Sequence, residues 1–165
     1  MGLVVRAPLP GEVDDWFERH WGDRIVAGHG TAYSMDDVEC LVADEAGRVV
    51  GAVTFCVDAD ALEVVTVDAD VRRRGIGRIL LDAAVAEAEL RGLRRVWLTT
   101  TNDNLTALAF YQALGFHLCA LRPGGVAEAR RLKPTIPLVG ENGLPLRDEL
   151  DLERILVPGE PGGTS

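Results

Sequence analysis

The sequence predicts a single α/β domain, on the basis of three observations. The 165 residues are 47% hydrophobic, which is enough to bury one compact core. Short runs rich in β-branched residues alternate with segments whose apolar residues recur at helical spacing. Turn residues separate these segments, without an internal repeat or an evident linker. We therefore expect one domain over residues 1–157 and a disordered tail over residues 158–165, where Gly and Pro dominate.

The first half of the chain predicts a strand, a helix and then an antiparallel hairpin. Val13, Trp16 and Phe17 share one helical stripe, so we expect the helix to pack inward. A turn containing Gly47 joins two β-branched runs, which favours a hairpin. The expected elements are a strand at 3–7, a helix at 13–21, a long surface loop at 22–37, and strands at 38–44, 49–57 and 61–67.

The second half predicts two more helices and three more strands. A helix from Gly77 to about Arg91 has an apolar face formed by Leu80, Leu81, Ala84, Val85 and Ala88, and Gly92 fits its C-terminal end. Gly and Pro recur through 123–146, which predicts a long loop. The remaining expected elements are a strand at 94–100, a helix at 105–114, and strands at 116–121 and 149–157.

The composition excludes several classes of protein. Asp and Glu number 26 against 17 Lys and Arg, for a formal net charge of -9, which disfavours general binding to nucleic acid or anionic lipid. No run approaches the roughly 20 apolar residues of a membrane span, and the N-terminal segment lacks the pattern of a signal peptide. We expect a cytoplasmic protein without a metal site, whose Cys40, Cys56 and Cys119 are buried reduced thiols.

The segment RRRGIG, at residues 72–77, is the first candidate binding motif. Gly75 and Gly77 let backbone N–H groups approach an anion, and a helix that begins there adds unpaired donors and its positive dipole end. The motif lacks the third glycine of the dinucleotide fingerprint, and the chain has no P-loop. It predicts a pyrophosphate site with arginines at the rim. The alternative is a solvated basic turn.

The segment TNDNLTALAFYQALGF is the second candidate motif. Asn104, Leu108 and Tyr111 fall at i, i+4 and i+7 on one helical face. The Asn104 amide and the Tyr111 hydroxyl can therefore contact one extended ligand. In the alternative interpretation, Asn104 is only a helix N-cap and Tyr111 only a core residue.

In their order along the chain, the two motifs resemble those of the GNAT superfamily of N-acetyltransferases. The resemblance covers roughly residues 3–122. The positions that match the first motif are Arg72, Arg73, Arg74, Gly75, Ile76 and Gly77. The positions that match the second are Asn104, Ala107, Tyr111, Gly115 and Phe116.

The resemblance implies a fold and a reaction. The fold is a mixed, mostly antiparallel twisted sheet of six to seven strands, with flanking helices and a splay between strands 4 and 5. The reaction is acetyl transfer from acetyl-CoA to a primary amine, by direct attack in a ternary complex. Asn104 is implied to contact the pantetheine and Tyr111 to act as general acid near the sulfur. The implied cofactor-binding residues are Val65, Thr66 and Val67 in the fourth strand and Arg72, Arg73, Arg74, Gly75, Ile76, Gly77 and Arg78 in the loop and helix start.

The chemistry itself also requires an acid and a base. Collapse of the tetrahedral intermediate releases a thiolate, and a donor hydroxyl such as that of Tyr111 eases its departure. Backbone N–H groups such as that of Val67 are candidates for stabilising the oxyanion. Glu63 is the leading candidate base, because strand alternation predicts that it shares a face with Val65 and Val67.

Several alternatives remain open for this chemistry. Glu63 is equally interpreted as a charged residue at a strand edge, and His29 and His117 are competing bases. Cys119 as an acyl-carrying nucleophile is disfavoured, since no activating cation is near it in sequence. Two other functions remain, a catalytically silent acyl-CoA-binding module and a nucleotide-binding protein.

The segment 123–147 departs from the superfamily pattern and resembles a little-defined bacterial subset. Its basic residues Arg130, Arg131 and Lys133 either bind an acidic group of the acceptor or of CoA, or form a solvated face. Asp68 and Asp70 also replace a more usual proline-containing turn. The acceptor is expected to be a small-molecule or peptide amine, and a homodimer is possible.

Overall fold

A seven-stranded sheet forms the centre of the computed structural model, which describes residues 2–21, 25–70 and 75–157. The strands are β1 Leu3–Arg6, β2 Ile25–Gly28, β3 Thr31–Ser34, β4 Glu39–Glu45, β5 Arg48–Asp58, β6 Ala61–Ala69, β7 Arg95–Thr101, β8 His117–Arg122 and β9 Glu149–Ile155. The helices are α1 Asp14–Trp21, α2 Ile76–Leu90, α3 Leu105–Ala113 and α4 Gly125–Leu132, with short 3₁₀ turns at Met35–Asp37 and Glu141–Gly143. The expected tail at 158–165 lies outside the described residues.

The strand order of the sheet is β1-β4-β5-β6-β7-β9-β8. Only β6 and β7 pair in parallel, and every other pair is antiparallel. A parallel pair requires a crossover, which α2 supplies. The expectation of a mixed, mostly antiparallel sheet with flanking helices is therefore confirmed.

The parallel pair β6 and β7 separates part-way along its length. Their pairing runs from Ala61–Arg95 only to Val64–Leu98. Beyond that point β6 stays paired with β5 as far as Ala69, while β7 stays paired with β9 as far as Thr101. The two strands thus follow different neighbours, and the expected splay opens between them.

A β-bulge in β6 changes which side chains face the core. The register of the β5–β6 pair shifts so that Phe55 faces Val64 while Thr54 faces Thr66, which leaves Val65 as the extra residue. Leu62 and Val64 belong to the core, and after the bulge Val67 packs against the same core. The prediction that Glu63 and Val67 share a face is therefore wrong, because one inserted residue reverses the alternation.

Two segments that the sequence predicted as loops contain regular structure. Within 22–37, β2 and β3 form a separate two-stranded sheet joined by a two-residue turn. Within 123–146, α4 begins after Gly124, whose φ is 71°, and buries Val126 and Ala129. Residues of α4 lie beside β2 and β3. Four-residue strands and an eight-residue helix with two buried side chains carry too little periodicity for recognition.

Helices pack on both faces of the sheet. The apolar stripe of α2 covers one face and forms the main core with Phe55, Val96 and Leu98. Trp16 and Phe17 of α1 are buried in a second cluster. None of the helices among the described residues is long and apolar enough to cross a membrane. Cys40 and Cys56 are half-buried, whereas Cys119 is exposed, so the expectation of a buried thiol is wrong for Cys119.

Gly51 in β5 sets the distance between α2 and the sheet. A Cβ at this position would lie 2.7 Å from Cγ2 of Ile76 and 2.9 Å from Cδ1 of Leu80. Both of these side chains are buried core residues. The side chains of Ile76 and Leu80 in α2 therefore pack directly against the backbone of Gly51.

We expect Gly51→Ala to lower the free energy of unfolding by about 1–3 kcal/mol, because the added methyl group overpacks a filled core. Chemical denaturation measures this change. Gly2→Ala is the control, since a Cβ at residue 2 meets nothing within 4 Å. Equal stability of the two variants would contradict the close contact.

Candidate active site

A cleft of about 270 Å³ lies where β6 and β7 separate. It is bounded by the β2–β3 hairpin, by β6, by the end of β7, and by the start of α3. Its lining residues are Ala27, Gly28, His29, Tyr33, Glu63, Val64, Val65, Thr66, Val67, Thr99, Thr100, Thr101, Asn104, Tyr111 and Glu149. Six residues predicted for the site thus line one cleft: Glu63, Val65, Thr66, Val67, Asn104 and Tyr111.

Asn104 and Tyr111 lie on the α3 side of this cleft. Asn104 is the N-cap of α3, and its Oδ1 accepts the N–H of Ala107 at 3.1 Å. The capping interpretation is therefore correct, and the same residue also lines the cleft. Leu108 lies between these two residues on the same helical face, but its side chain packs against the core.

The Tyr111 hydroxyl is held as a neutral phenol. Its ring packs edge-on against Phe110 and Phe116, and burial raises the pKa of Tyr111 to about 12. Among the described residues, no hydrogen bond is made by its hydroxyl. At neutral pH, Tyr111 therefore presents a proton that it can donate.

Glu63 is the centre of a hydrogen-bonded group on the opposite side of the cleft. Its side chain is buried, and its Oε1 lies 2.5 Å from Nε2 of His29. The Tyr33 hydroxyl donates to Oε2 at 2.7 Å, and the Cys56 thiol lies 3.7 Å from the same oxygen. The two oxygens of the carboxylate are thus oriented by side chains of the β2–β3 hairpin and of β5.

His29 occupies the tip of the β2–β3 hairpin. Its φ is 39° and that of Gly30 is 78°, as in the two-residue turns that usually hold Asn-Gly. A histidine with positive φ is strained, and such strain is often found at functional sites. Its N–H donates to Oε2 of Glu149 at 2.9 Å. The hydrogen bond to Glu63 raises the pKa of His29, against the opposing effect of burial.

Glu149 belongs to a second group of charges beneath the hairpin. It is buried at the start of β9, and its Oε1 lies 3.4 Å from Nε of Arg122. Arg122 binds Asp151 with two nitrogens, at 2.6 and 2.7 Å. Burial opposes ionisation of Asp151, but the hydrogen bonds from Arg122 and Thr99 hold its pKa below its usual value. This second group supports the hairpin tip that carries His29.

The N-terminus of α2 lies on the other flank of the site. Gly75 precedes the helix with a φ of 75°, and a Cβ there would meet nothing within 4 Å. The first N–H groups of α2 have no partner within the helix, so they are candidate donors to an anion. Arg72, Arg73 and Arg74 lie outside the described residues.

Three of the residues predicted to bind the cosubstrate offer no free side chain to a ligand. The Ile76 side chain is buried in the core, and that of Thr66 shares a 2.6 Å hydrogen bond with Thr54. Gly77, in the first turn of α2, has no side chain at all. Only their backbone groups can bind a ligand. Arg78 is exposed and lies 3.9 Å from Asp82.

A family model described as the Acetyltransferase (GNAT) family matches residues 9–116. The chain belongs to the GNAT acetyltransferase family. An uncharacterized Bacillus subtilis protein, YdhI, is 36% identical over 143 residues, which are 86% of this chain and 89% of that protein. The [ribosomal protein bS18]-alanine N-acetyltransferase of Salmonella typhimurium is 35% identical over 82 residues, 50% of this chain and 55% of its own length.

Solved structures share the fold of this GNAT domain. The IAA acetyltransferase from Bacillus cereus has a TM-score of 0.73 and 21% identity, over 94% of this chain and all of its own. A GNAT family acetyltransferase from Elizabethkingia anophelis with acetyl-CoA bound has a TM-score of 0.70 and 15% identity, over 93% of this chain and 98% of its own. At these identities the likeness shows the fold alone.

The GNAT domain keeps His117 and Cys119 away from the cleft. Both are exposed on β8, at the edge of the sheet, and neither lines the cleft. Burial, together with Glu153 and Asp151, raises the pKa of the Cys119 thiol. A raised pKa disfavours the nucleophilic thiolate. His29, rather than His117, is the histidine that the fold places beside Glu63.

Arg130 has a structural role within the segment 123–147. Its guanidinium donates to the backbone carbonyls of Ile136, Pro137 and Leu146. Arg131 is exposed and pairs with Glu128 at 3.1 Å. The three basic residues therefore do not form one cluster that faces the cleft, as none of them lines it.

The same segment is tied to the turn between β7 and α3. Asp103 is buried, and its Oδ2 accepts the N–H of Glu141 at 2.8 Å. Asn102 accepts the N–H groups of Arg147 and Asp148, each at 3.0 Å. This turn leads into Asn104, so the inserted segment is anchored next to the cleft.

Sequence reasoning missed Tyr33, Glu149 and the end of β7 as parts of the site. Tyr33 stands four residues after His29, on the partner strand of the hairpin. The signal for it was the Gly-His-Gly turn between two short runs of β-forming residues. Glu149 is 120 residues from His29, and no local pattern links the two.

Proposed function

We propose that this protein is an N-acetyltransferase that moves the acetyl group of acetyl-CoA to a primary amine, by direct attack in a ternary complex. The observation that carries the proposal is the cleft at the splay, with a partly buried tyrosine on one wall and a histidine–carboxylate pair on the other. A proton donor and a proton acceptor thus flank a gap between two strands. Membership of the GNAT family and the acetyl-CoA held by a structure of the same fold support the proposal.

The residues of this chain fit the proposed cosubstrate. The β6 edge that faces β7 is unpaired with β7 beyond Val64, so backbone groups of Val65, Thr66 and Val67 are proposed to bind the pantetheine as an added strand would. Asn104 is proposed to contact the same arm.

The start of α2 is proposed to bind the pyrophosphate. Gly75 leaves its approach open, and backbone N–H groups of Ile76, Gly77 and Arg78 supply donors at the positive end of the helix dipole. Arg72, Arg73 and Arg74 are proposed to add positive charge at the rim.

Tyr111 is proposed to donate its proton to the departing sulfur. A phenol whose pKa is near 12 is a weak acid relative to a thiol in water, but burial raises the pKa of a thiol as well. The hydrogen bond from the Tyr111 hydroxyl to the sulfur strengthens as negative charge develops on the sulfur during C–S cleavage. A backbone N–H of β6 is proposed to stabilise the oxyanion.

Glu63 and His29 are proposed to act together as the base. The two candidates that competed in the sequence are hydrogen-bonded to each other at 2.5 Å, so they accept one proton as a pair. The amine nitrogen bonds to the thioester carbon, its proton passes to this pair, and the C–S bond breaks as sulfur takes the tyrosine proton.

We propose a cytoplasmic location, because acetyl-CoA is an intracellular metabolite.

The proposal predicts a preference among ligands and a product. In calorimetry, CoA and acetyl-CoA should bind, whereas ATP and NAD should bind much more weakly or not at all. A screen of small-molecule and peptide amines, monitored by free thiol, should find acceptors. Preferred binding of ATP or NAD would favour a nucleotide-binding protein. Tight CoA binding without thiol release from any amine would favour a silent acyl-CoA-binding module.

We expect Tyr111→Phe to lower kcat roughly 10²-fold, within the usual range for loss of a general acid. The ring contacts with Phe110 and Phe116 remain, so the melting temperature and the Kd for acetyl-CoA should be unchanged. Steady-state kinetics and calorimetry measure the three quantities. Turnover close to that of the wild type, with the same rate-limiting step, would remove Tyr111 from this role.

The acidic limb of the kcat/KM profile should report the Glu63–His29 pair. Since Glu63 raises the pKa of His29, activity should rise with pH through a pKa above the ordinary 6.5 of histidine. Glu63→Gln removes the cause of the upward shift, so the limb should move to lower pH and the maximum should fall. His29→Gln removes the imidazole whose titration sets the limb, so the limb should also move and the maximum should fall. An acidic limb that stays at the wild-type pH in both variants would exclude the pair as the base.

A further inference from the structure

Carboxylates surround the end of the cleft that faces the β2–β3 hairpin. Glu63 and Glu149 both line the cleft. Each of them contacts His29, Glu63 at Nε2 and Glu149 at the backbone N–H. Among the described residues, no Lys or Arg lines the cleft. An acceptor in this place therefore meets negative charge from two sides.

Arg122, the guanidinium that contacts Glu149, binds mainly to Asp151. Its two short hydrogen bonds go to Asp151, whereas its contact with Glu149 is 3.4 Å long. Glu63, Glu149 and Asp151 together contribute three negative charges. The opposing charges are that of the Arg122 guanidinium and, when His29 is protonated, that of its imidazolium. Negative charge remains in excess in a half-buried place, where solvent screens it weakly.

The reacting amine cannot balance this excess throughout the reaction. It arrives as an ammonium ion and must lose one proton before it attacks. Once it has done so, it carries no positive charge that could offset the excess negative charge near Glu149. A second cationic nitrogen on the acceptor would supply that partner and would stay charged during the transfer.

The fold gives Glu149 a defined position for this purpose. A Cβ at Gly125 would lie 2.7 Å from its Oε1, and one at Gly28 would lie 3.7 Å from its Oε2. The start of α4 and the hairpin therefore meet at this carboxylate. The inserted helix and the hairpin together define the acceptor end of the cleft.

We propose that the acceptor is a small di- or polyamine without a carboxylate group, and that Glu149 binds its second ammonium group. This inference rests on the proposed acetyl transfer. Glu63 and His29 serve the reacting nitrogen, and Glu149 selects the acceptor by charge. An amino acid, whose carboxylate would lie against Glu63 and Glu149, is rejected by like-charge repulsion.

Three compounds with the same four-carbon chain test the proposal. Putrescine carries a second ammonium group, n-butylamine carries a methyl group, and γ-aminobutyrate carries a carboxylate. We expect kcat/KM to fall in that order. Glu149→Gln keeps an oxygen that can accept the His29 N–H but removes the charge. It should lower the ratio of kcat/KM for putrescine to kcat/KM for n-butylamine by about tenfold or more, as for a lost charged hydrogen bond.

Glu153→Gln is the matched control. Glu153 lies on the same strand, pairs with Arg95 at 2.8 Å and does not line the cleft. The substitution changes the net charge of the protein equally, so it should leave the order of the three compounds intact. If it changed the preference as much as Glu149→Gln does, long-range charge would explain the selectivity and the assignment of Glu149 would be wrong.

Two further measurements distinguish failure of this inference from failure of the acetyltransferase proposal. Calorimetry with CoA present tests whether putrescine binds more tightly than n-butylamine, whether or not either is acetylated. The KM for putrescine in the wild type should rise with salt more steeply than that for n-butylamine, which needs no variant. Thiol release without preference for putrescine overturns this inference and leaves the acetyltransferase proposal standing. Preferential putrescine binding with no thiol release from any amine supports the site and overturns that proposal.

Discussion

The end of hydrogen bonding between β6 and β7 is the constraint on which the rest of the site depends. The pairing stops at Val64 and Leu98 because each strand stays attached to its outer neighbour. Twist between two such halves opens a gap that the backbone cannot close without breaking the other ladders. The gap exposes one edge of β6, receives the start of α3 on one side and the hairpin on the other, and so brings Tyr111 and Glu63 to face each other across a cleft.

The carboxylates near this gap are stabilised by partners from distant parts of the fold. Glu63 takes hydrogen bonds from His29 and Tyr33, and Glu149 takes the N–H of His29. A buried carboxylate without such partners would be costly. The strained backbone of His29, with its φ of 39°, is held by the same contacts. Hydrogen bonds to these carboxylates therefore hold the hairpin tip in place, and this tip lines the cleft.

The inserted segment is anchored at two places beside the cleft. Arg130 organises its backbone, and Asp103 fastens it to the turn that leads into Asn104. Its helix α4 then lies against β2 and β3, with Gly125 in contact range of Glu149. The insertion thus meets the cleft at its hairpin end, through Glu149.

The sequence by itself determined the elements with strong local periodicity, such as β4, β5, α2 and α3, and it placed Asn104 and Tyr111 at one cleft because residues seven apart share a helical face. It missed the hairpin and α4, whose short runs carry little pattern, and it put Val67 on the wrong face because a single bulge reverses alternation. Only the tertiary structure decided that Glu63 meets His29, 34 residues away, and that His29 meets Glu149, 120 residues away. Periodicity is a property of the local backbone, whereas these meetings depend on strand register and on how the hairpin and α4 pack over the sheet.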